Sequence, residues 1–269
     1  MRVTIYQPRY FPQLHYFQRM LTVSTFALLD SAQYTKTLTH KQNSIQIRHK
    51  SYQSDTPIKT AHGIMLLTVP ITHDGLLPIN QTKIDYSHHW ERKHLRSILV
   101  AYRKAKNFLP QYPKLQALLL NRYTSLAELN IQTIFWGLSS IFDWEYTPSM
   151  TLDLVNKRLE KQALFPLKRI VKSSDLSIPR PQGQGKGTEW TTAICKSLGA
   201  TEYVHGETAK NSYMDLSYYR LHNITPITQN WICRKYPQLF SNNDFSSNLS
   251  IIDLVLLQDA KDTQQLLQN

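Results

Sequence analysis

Cysteine is nearly absent from this chain, with Cys195 and Cys233 the only two in 269 residues. Two thiols cannot build the multi-bridge framework of a small secreted scaffold. Glycine is scarce as well, at eight residues. Its one cluster, GQGKGT at Gly183–Thr188, is not a Walker loop, because Gly187 stands where Ser or Thr should follow the lysine. There is no G-x-S-x-G elbow, which disfavours serine hydrolysis. Adjacent His88 and His89 cannot easily share a metal with His94 and the stretch matches no zinc spacing, so no metal centre is expected. No apolar run reaches the roughly 18 residues of a membrane span. The most apolar stretch, SIIDLVLL, is interrupted by Asp253, and Arg2, Gln7 and Arg9 break up the start where a signal peptide would be apolar. The expectation is a cytoplasmic protein.

Acid is the other shortage. Nineteen Asp and Glu face 31 Lys and Arg, giving a net charge of +12 and a pI near 9.6. Such a surface attracts nucleic acid, acidic membrane or phosphorylated small molecules. The basic residues are spread along the chain instead of gathered in one tail, which equally fits a plain solvated surface. The apolar fraction of 41% is that of an ordinary globular protein.

Hydrophobic periodicity then sets out the elements. RVTIY (Arg2–Tyr6) alternates as a strand, and Pro8 and Pro12 forbid its continuation. Leu14, Phe17 and Leu21 recur at helical spacing. TFALLD is a continuous apolar run, as in a strand buried on both faces. Strand, helix and strand within about 30 residues make a βαβ unit, hence a parallel sheet. Further strands are expected in SIQIR, IMLLTVPI, QTKIDY, EYVHGE and ITPITQNWI. Helices are expected in HHWERKHLRSILVAYRKAKNF, with Leu95, Ile98, Leu99 and Tyr102 as its apolar stripe, after the capping box of Ser125 and Glu128, over TTAICKSLGA, and at the C-terminus. Ser250 and Asp253 read as an N-cap pair for that last helix. The fold class is α/β, Rossmann-like, with a largely parallel sheet and a mostly helical C-terminal part. Proline and glycine between Ser173 and Trp190 mark the best internal boundary. They divide an α/β region, 1–172, from a C-terminal α/β region, 173–269, packed on it or continuous with it.

Several stretches occur in one order: QPRYFPQLHYF, FALLDSAQYTK, LLTVPI, SLAELN, CKSLGATEYVHG, YPQLF and LSIIDLVL. That order and spacing resemble the WbqC-like family over nearly the whole chain. The resemblance implies a link to bacterial surface-polysaccharide (O-antigen-like) pathways and transfer of glycine, or a similar small acyl group, to an amino sugar. This chain departs from the family pattern at Gln13 and His15, where Trp and Gly are usual. Gln42 replaces an arginine, and His205 stands where Ser often precedes the glycine.

The candidate site follows from both lines of reading. The opening turn lies where a parallel strand ends and a helix begins, the place where α/β sheets bind ligands and a helix N-terminus favours phosphate. Gln7, Tyr10 and His15 would face that crevice, whereas Phe11 and Phe17 read as packing. The rings and prolines stiffen the loop. Asp30 ends the second strand beside Gln33, Tyr34 and Lys36, and reads equally as a turn cap or as a site carboxylate. His205 and Gly206 end a later strand, with Tyr213 beyond. Lys186 and Thr188 lie in the glycine cluster, read as a linker or as a lid over phosphate. His15, Asp30 and His205 are the catalytic candidates. Gln7, Tyr10, Gln33, Tyr34, Lys36, Asn43, Lys186, Thr188, Gly206 and Tyr213 are the substrate-binding candidates.

The favoured function is an aminoacyl- or acyltransferase, or an ATP-dependent amide-forming enzyme, acting on a nucleotide- or lipid-linked amino sugar. The donor carboxylate must be activated through ATP, a thioester or aminoacyl-tRNA. No motif identifies a cofactor, and ATP is the candidate. The rival is a noncatalytic RNA- or nucleotide-binding module, since five Trp, 15 Tyr and nine Phe could supply stacking surfaces. Against it, the rings lie mostly in apolar patterns and no RNA-binding signature is present, so specific nucleic-acid binding is not expected.

Overall fold

Strand β1 (Arg2–Tyr6), helix α1 (Leu14–Leu21) and strand β2 (Thr25–Leu28) form the expected βαβ unit, with Val3 opposite Thr25 and Tyr6 opposite Leu28 in parallel register. The computed structural model describes residues 1–35, 38–42, 45–49, 51–72, 77–181, 186–212, 214–240 and 244–268, with 38–42, 45–49 and 212 described by backbone alone. Two antiparallel pairs follow: β3 (Leu38–Gln42) with β4 (Ile45–His49), and β5 (Asp55–Thr60) with β6 (Gly63–Thr68). Gly63 turns the second hairpin with φ +103°, a conformation that costs glycine least. Four helices come next: α2 (Trp90–Tyr102), α3 (Phe108–Leu120), α4 (Leu126–Ile141) and α5 (Leu152–Lys161). Strand β7 (Arg169–Lys172) leads through a 3₁₀ turn (Ser173–Leu176) to α6 (Gly187–Ser197) and β8 (Glu202–His205). Then come α7 (Glu207–Ser212), α8 (Leu216–Leu221), β9 (Thr225–Thr228), α9 (Ile251–Leu257) and α10 (Ala260–Gln268).

The central sheet runs β7-β2-β1-β8-β9, all parallel. By order of appearance this is 3-2-1-4-5, the arrangement of doubly wound folds. Its strands come from both sides of residue 172. β2 is buried at every position, as its unbroken apolar run requires. Seven of the eight residues of α1 are buried. The helix therefore runs through the interior, and any polar group on it must be satisfied there or serve a site. It lies close to α4, because a Cβ on Gly137 would stand 2.5 Å from the Phe17 ring. Phe11 is fully buried with its ring edge-on to Trp136 at 5.5 Å.

Some expectations need correction. QTKIDY is not a strand: only Ile84 bridges, to Ile71, because this alternating stretch meets no continuous partner. IMLLTVPI does supply the expected strand, β6, which pairs with β5 apart from the central sheet. Helix α3 was concealed by its prolines. Pro110 falls in the first turn, where no amide bond is lost, and Pro113 sits inside the helix. Asp253 is no cap partner of Ser250. Ser250 alone accepts from the Ile252 amide, while the buried Asp253 carboxylate accepts from the Tyr102 and Tyr236 hydroxyls, each at 2.7 Å. The stripe of α2 also shifts, because Leu99 and Val100 are exposed and His94, Leu95, Ile98, Ala101 and Tyr102 face inward.

Candidate functional site

At the carboxyl edge of the sheet, the chain leaves β1 toward β2 and returns through β8 on β1's other side. This reversal opens the crevice in which α/β sheets hold ligands. A cavity of about 350 Å³ lies there. Tyr6, Arg9, Tyr10 and His15 line it from the first turn and α1, Thr208 from α7, and Asp55 with Leu66 from the β5–β6 hairpin. Asn248 also lines it, from the segment before α9.

The hydrogen bonds of His15 fix its tautomer. Its backbone amide, which can only donate, points at Asn248 Oδ1 at 3.0 Å, so that atom is the oxygen. The ring Nδ1 lies 3.0 Å from the same oxygen and must carry the proton. Nε2 is then bare and accepts from the Tyr6 hydroxyl at 3.1 Å. A neutral chain Tyr6–His15–Asn248 thus ends at the cavity. Burial pushes the His15 pKa down to about 3, helped by the charges of Arg9 and Arg19 and opposed by the Asn248 contact.

Both arginines stack on Tyr6, with guanidinium carbons 4.6 Å (Arg9) and 4.5 Å (Arg19) from the ring centroid. Arg9 also lies 4.7 Å from the Tyr52 ring, and its buried Nε has no hydrogen-bond partner. Arg19 is buried and donates through Nε to Gln229 Oε1 at 2.7 Å. Burial lowers its pKa. Among the described residues neither arginine is ion-paired with a carboxylate. Asp55 shares the cavity, but its hydrogen-bonded oxygen accepts from the Ser51 amide at 3.0 Å and the other has no partner. Buried cations ordinarily occur paired. Arg19 is buried outside the cavity's lining and Arg9 is half-buried and lines it; with no carboxylate on either, this sheet edge is suited to an anion.

Of the residues expected from sequence, the structure brings His15, Tyr10, His205 and Gly206 to this edge. Tyr10 is a wall: fully buried, with its hydroxyl 2.9 Å from His94 Nδ1. Gly206 is there because a Cβ would stand 2.5 Å from Arg19 Nη2. His205 is buried at the end of β8, with Nδ1 donating to the Gly206 carbonyl at 3.2 Å and its pKa lowered by burial. Gln7 braces the neighbouring loop, accepting from Gln53 Nε2 at 2.7 Å.

The other candidates lie apart. Asp30 accepts from Ser173 Oγ, the Ser174 amide and Ser174 Oγ at 2.7–3.0 Å, bolting the end of β2 to the end of β7. It lines a separate hollow of about 610 Å³ against α4. Gln33 accepts from Arg180 at 3.4 Å, and Tyr34 hydrogen-bonds Ser54 at 2.9 Å. Lys186 is exposed and pairs with Glu189 at 3.4 Å, and buried Thr188 accepts from the Asp215 amide at 3.1 Å. Lys36, Asn43, Tyr213 and residues 182–185 of the glycine cluster lie outside the described residues. Sequence reasoning passed over Tyr6, Arg9, Arg19 and Asn248. Arg19 had a signal: a cation in a short helix otherwise rich in apolar residues, with Tyr16 and Phe17 before it and Met20 and Leu21 after.

Fold and site together define a doubly wound α/β protein with a pocket lined by Tyr6, Arg9 and His15 at the point where its strand order reverses. The chain belongs to the WbqC-like protein family, whose profile matches residues 7–265. A curated relative, the uncharacterized protein Rv1507c of Mycobacterium tuberculosis, is 27% identical over 263 residues, covering 94% of this chain and 92% of its own. No solved structure matches the chain. Among the described residues no helix is long and apolar enough to cross a membrane, and no three His, Cys, Asp or Glu cluster to hold a metal ion.

Proposed function

We propose that this protein transfers an aminoacyl or small acyl group to the amine of a nucleotide- or lipid-linked amino sugar, in the cytoplasmic stage of surface-polysaccharide assembly. The observation that carries the reading is Arg9 in the cavity and Arg19 stacked on the same Tyr6 ring, neither with a carboxylate partner among the described residues. Both substrates of such a reaction are anionic or develop negative charge. The acceptor carries phosphate, and the acyl carbonyl becomes an oxyanion when the amine attacks. The choice of amino sugars rests on the link to surface-polysaccharide pathways that the family resemblance implies.

The proton path follows from the hydrogen bonds. As the sugar nitrogen bonds to the acyl carbon, its proton passes to the Tyr6 oxygen while the Tyr6 proton passes to His15 Nε2. The bond from the acyl carbon to its phosphate, sulfur or ester oxygen then breaks, and that leaving group takes the proton back from the relay. An anion bound at Arg9 cancels part of the field that, after burial, lowers the His15 pKa, so the base strengthens once substrate is in place. ATP belongs to this scheme only where the donor arrives as a free carboxylate and must first become an acyl phosphate or adenylate.

The test is product formation. Purified protein is incubated with UDP-, dTDP- or GDP-linked amino sugars and with glycyl-tRNA, an acyl thioester, or glycine plus ATP. Mass spectrometry then looks for the amide. Product with wild type and at least a hundredfold less with His15→Ala supports the reading. Equal product from both, or none with any donor and acceptor, sinks it.

A further inference from the structure

Away from the polar cavity, a second groove of about 420 Å³ lies between the turn of the β5–β6 hairpin and α2. Its floor is apolar and its upper rim is cationic. Met65 and Val100 line it and are 43% and 69% exposed, with Ile64 (51%) and Leu99 (38%) beside them. On α2, Lys93, Arg96, Ser97 and Val100 follow at i, i+3, i+4 and i+7, so they form one stripe facing the groove. Arg92 on the helix and Arg103 and Lys104 just past it are exposed too, and His62 lines the turn. The only acid of α2, Glu91, is buried and held near His89 and Arg122.

This combination is uncommon on a face turned to water. Exposed Met, Ile, Leu and Val next to a row of cations, with no exposed acid on the helix, matches the interface of an anionic bilayer. Apolar tips enter the headgroup layer while Lys and Arg extend to lipid phosphates. We infer that the hairpin turn and α2 form a docking face for a membrane carrying anionic lipid. The groove and the candidate cavity lie on opposite faces of the hairpin: Met65 lines the groove while its strand neighbour Leu66 lines the cavity. The docking inference itself does not depend on the acyl-transfer reading.

Vesicle co-sedimentation of the full chain tests it. Vesicles of phosphatidylcholine alone are compared with vesicles containing phosphatidylglycerol. Wild type should bind only the latter and release at high salt. Removing two cations in Lys93→Ala/Arg96→Ala should weaken binding about 25-fold, at about fivefold per cation. Met65→Ser/Val100→Ser should weaken it roughly tenfold. Both variants change exposed side chains, so their circular-dichroism spectra should match wild type. Soluble glycerol phosphate should not compete. Absence of lipid-dependent binding overturns the inference, as does binding that neither variant weakens. Displacement by glycerol phosphate would point instead to a site for a free anion.

Discussion

His15, His94 and His205 are imidazoles that burial holds neutral inside a strongly basic protein. The pKa falls to about 3 at His15 and about 4 at His94, and is lowered at His205. The sign follows from proton counting. As pH drops below the unfolded value near 6.5, the unfolded chain takes up protons that the folded chain refuses. Stability is therefore full above about pH 6.5 and falls below it, by up to ~1.4 kcal/mol per pH unit for each histidine, until the folded groups titrate. Urea unfolding between about pH 7 and about pH 4.5 measures this slope, and His94→Gln should flatten it. Stability that stays level across the window contradicts the burial assigned to these rings. A second prediction concerns Gly206. An alanine there must displace the Arg19 guanidinium, so Gly206→Ala should cost about 1–3 kcal/mol and abolish ligand-induced stabilisation in a thermal-shift assay. His15 and Gly206 could be found in the sequence because a polar group or a glycine after a strand stands out. Arg9 and Asn248 could not, since 239 residues separate them and only the fold brings them to one cavity.

Among the elements, α1 matters most to the site, because it carries both His15 and Arg19 while being nearly enclosed. Its position against α4 depends on Gly137. Gly137→Ala would press a methyl into the Phe17 ring, push α1 outward, and cost about 1–3 kcal/mol. Ligand binding should weaken along with stability, since Phe17 lies within two turns of both functional side chains. Chemical denaturation paired with a binding titration separates this outcome from purely local repacking, which would leave affinity unchanged. Lys186→Ala is the contrasting case. Its pair with Glu189 is exposed, so denaturation should show no more than about 0.5 kcal/mol lost. The βαβ opening was legible because an alternating strand, a helical stripe and an unbroken apolar strand leave distinct periods. Strand β7 has only four residues and follows a proline-containing turn, and α3 carries two prolines, so neither leaves a clear period. The 3-2-1-4-5 strand order had no local signature at all. It arises from pairings such as Val3 with Tyr203 across 200 residues.

At the scale of the whole molecule, a net charge of +12 invites comparison with nucleic-acid binders. The rings argue otherwise. Tyr10, Tyr16, Phe17, Phe26 and Trp136 are fully buried, and the large exposed hydrophobics among the described residues are all aliphatic. Without exposed stacking platforms, RNA should bind weakly and without sequence preference, with affinity falling steeply as salt rises. Filter binding at two salt concentrations checks this, and a tight, sequence-selective complex at physiological salt would favour the binding-module reading. The claim to test is that the cavity at the strand reversal takes an anionic substrate on Arg9, with Arg19 stacked on Tyr6 beside it. Calorimetric titration of a UDP-linked amino sugar into wild type and Arg9→Gln tests it most directly, because Arg9 is only half-buried and its loss leaves the core intact. Saturable binding by wild type, weakened at least tenfold in the variant at unchanged melting temperature, is the predicted result. Equal affinity in the two proteins would contradict the claim.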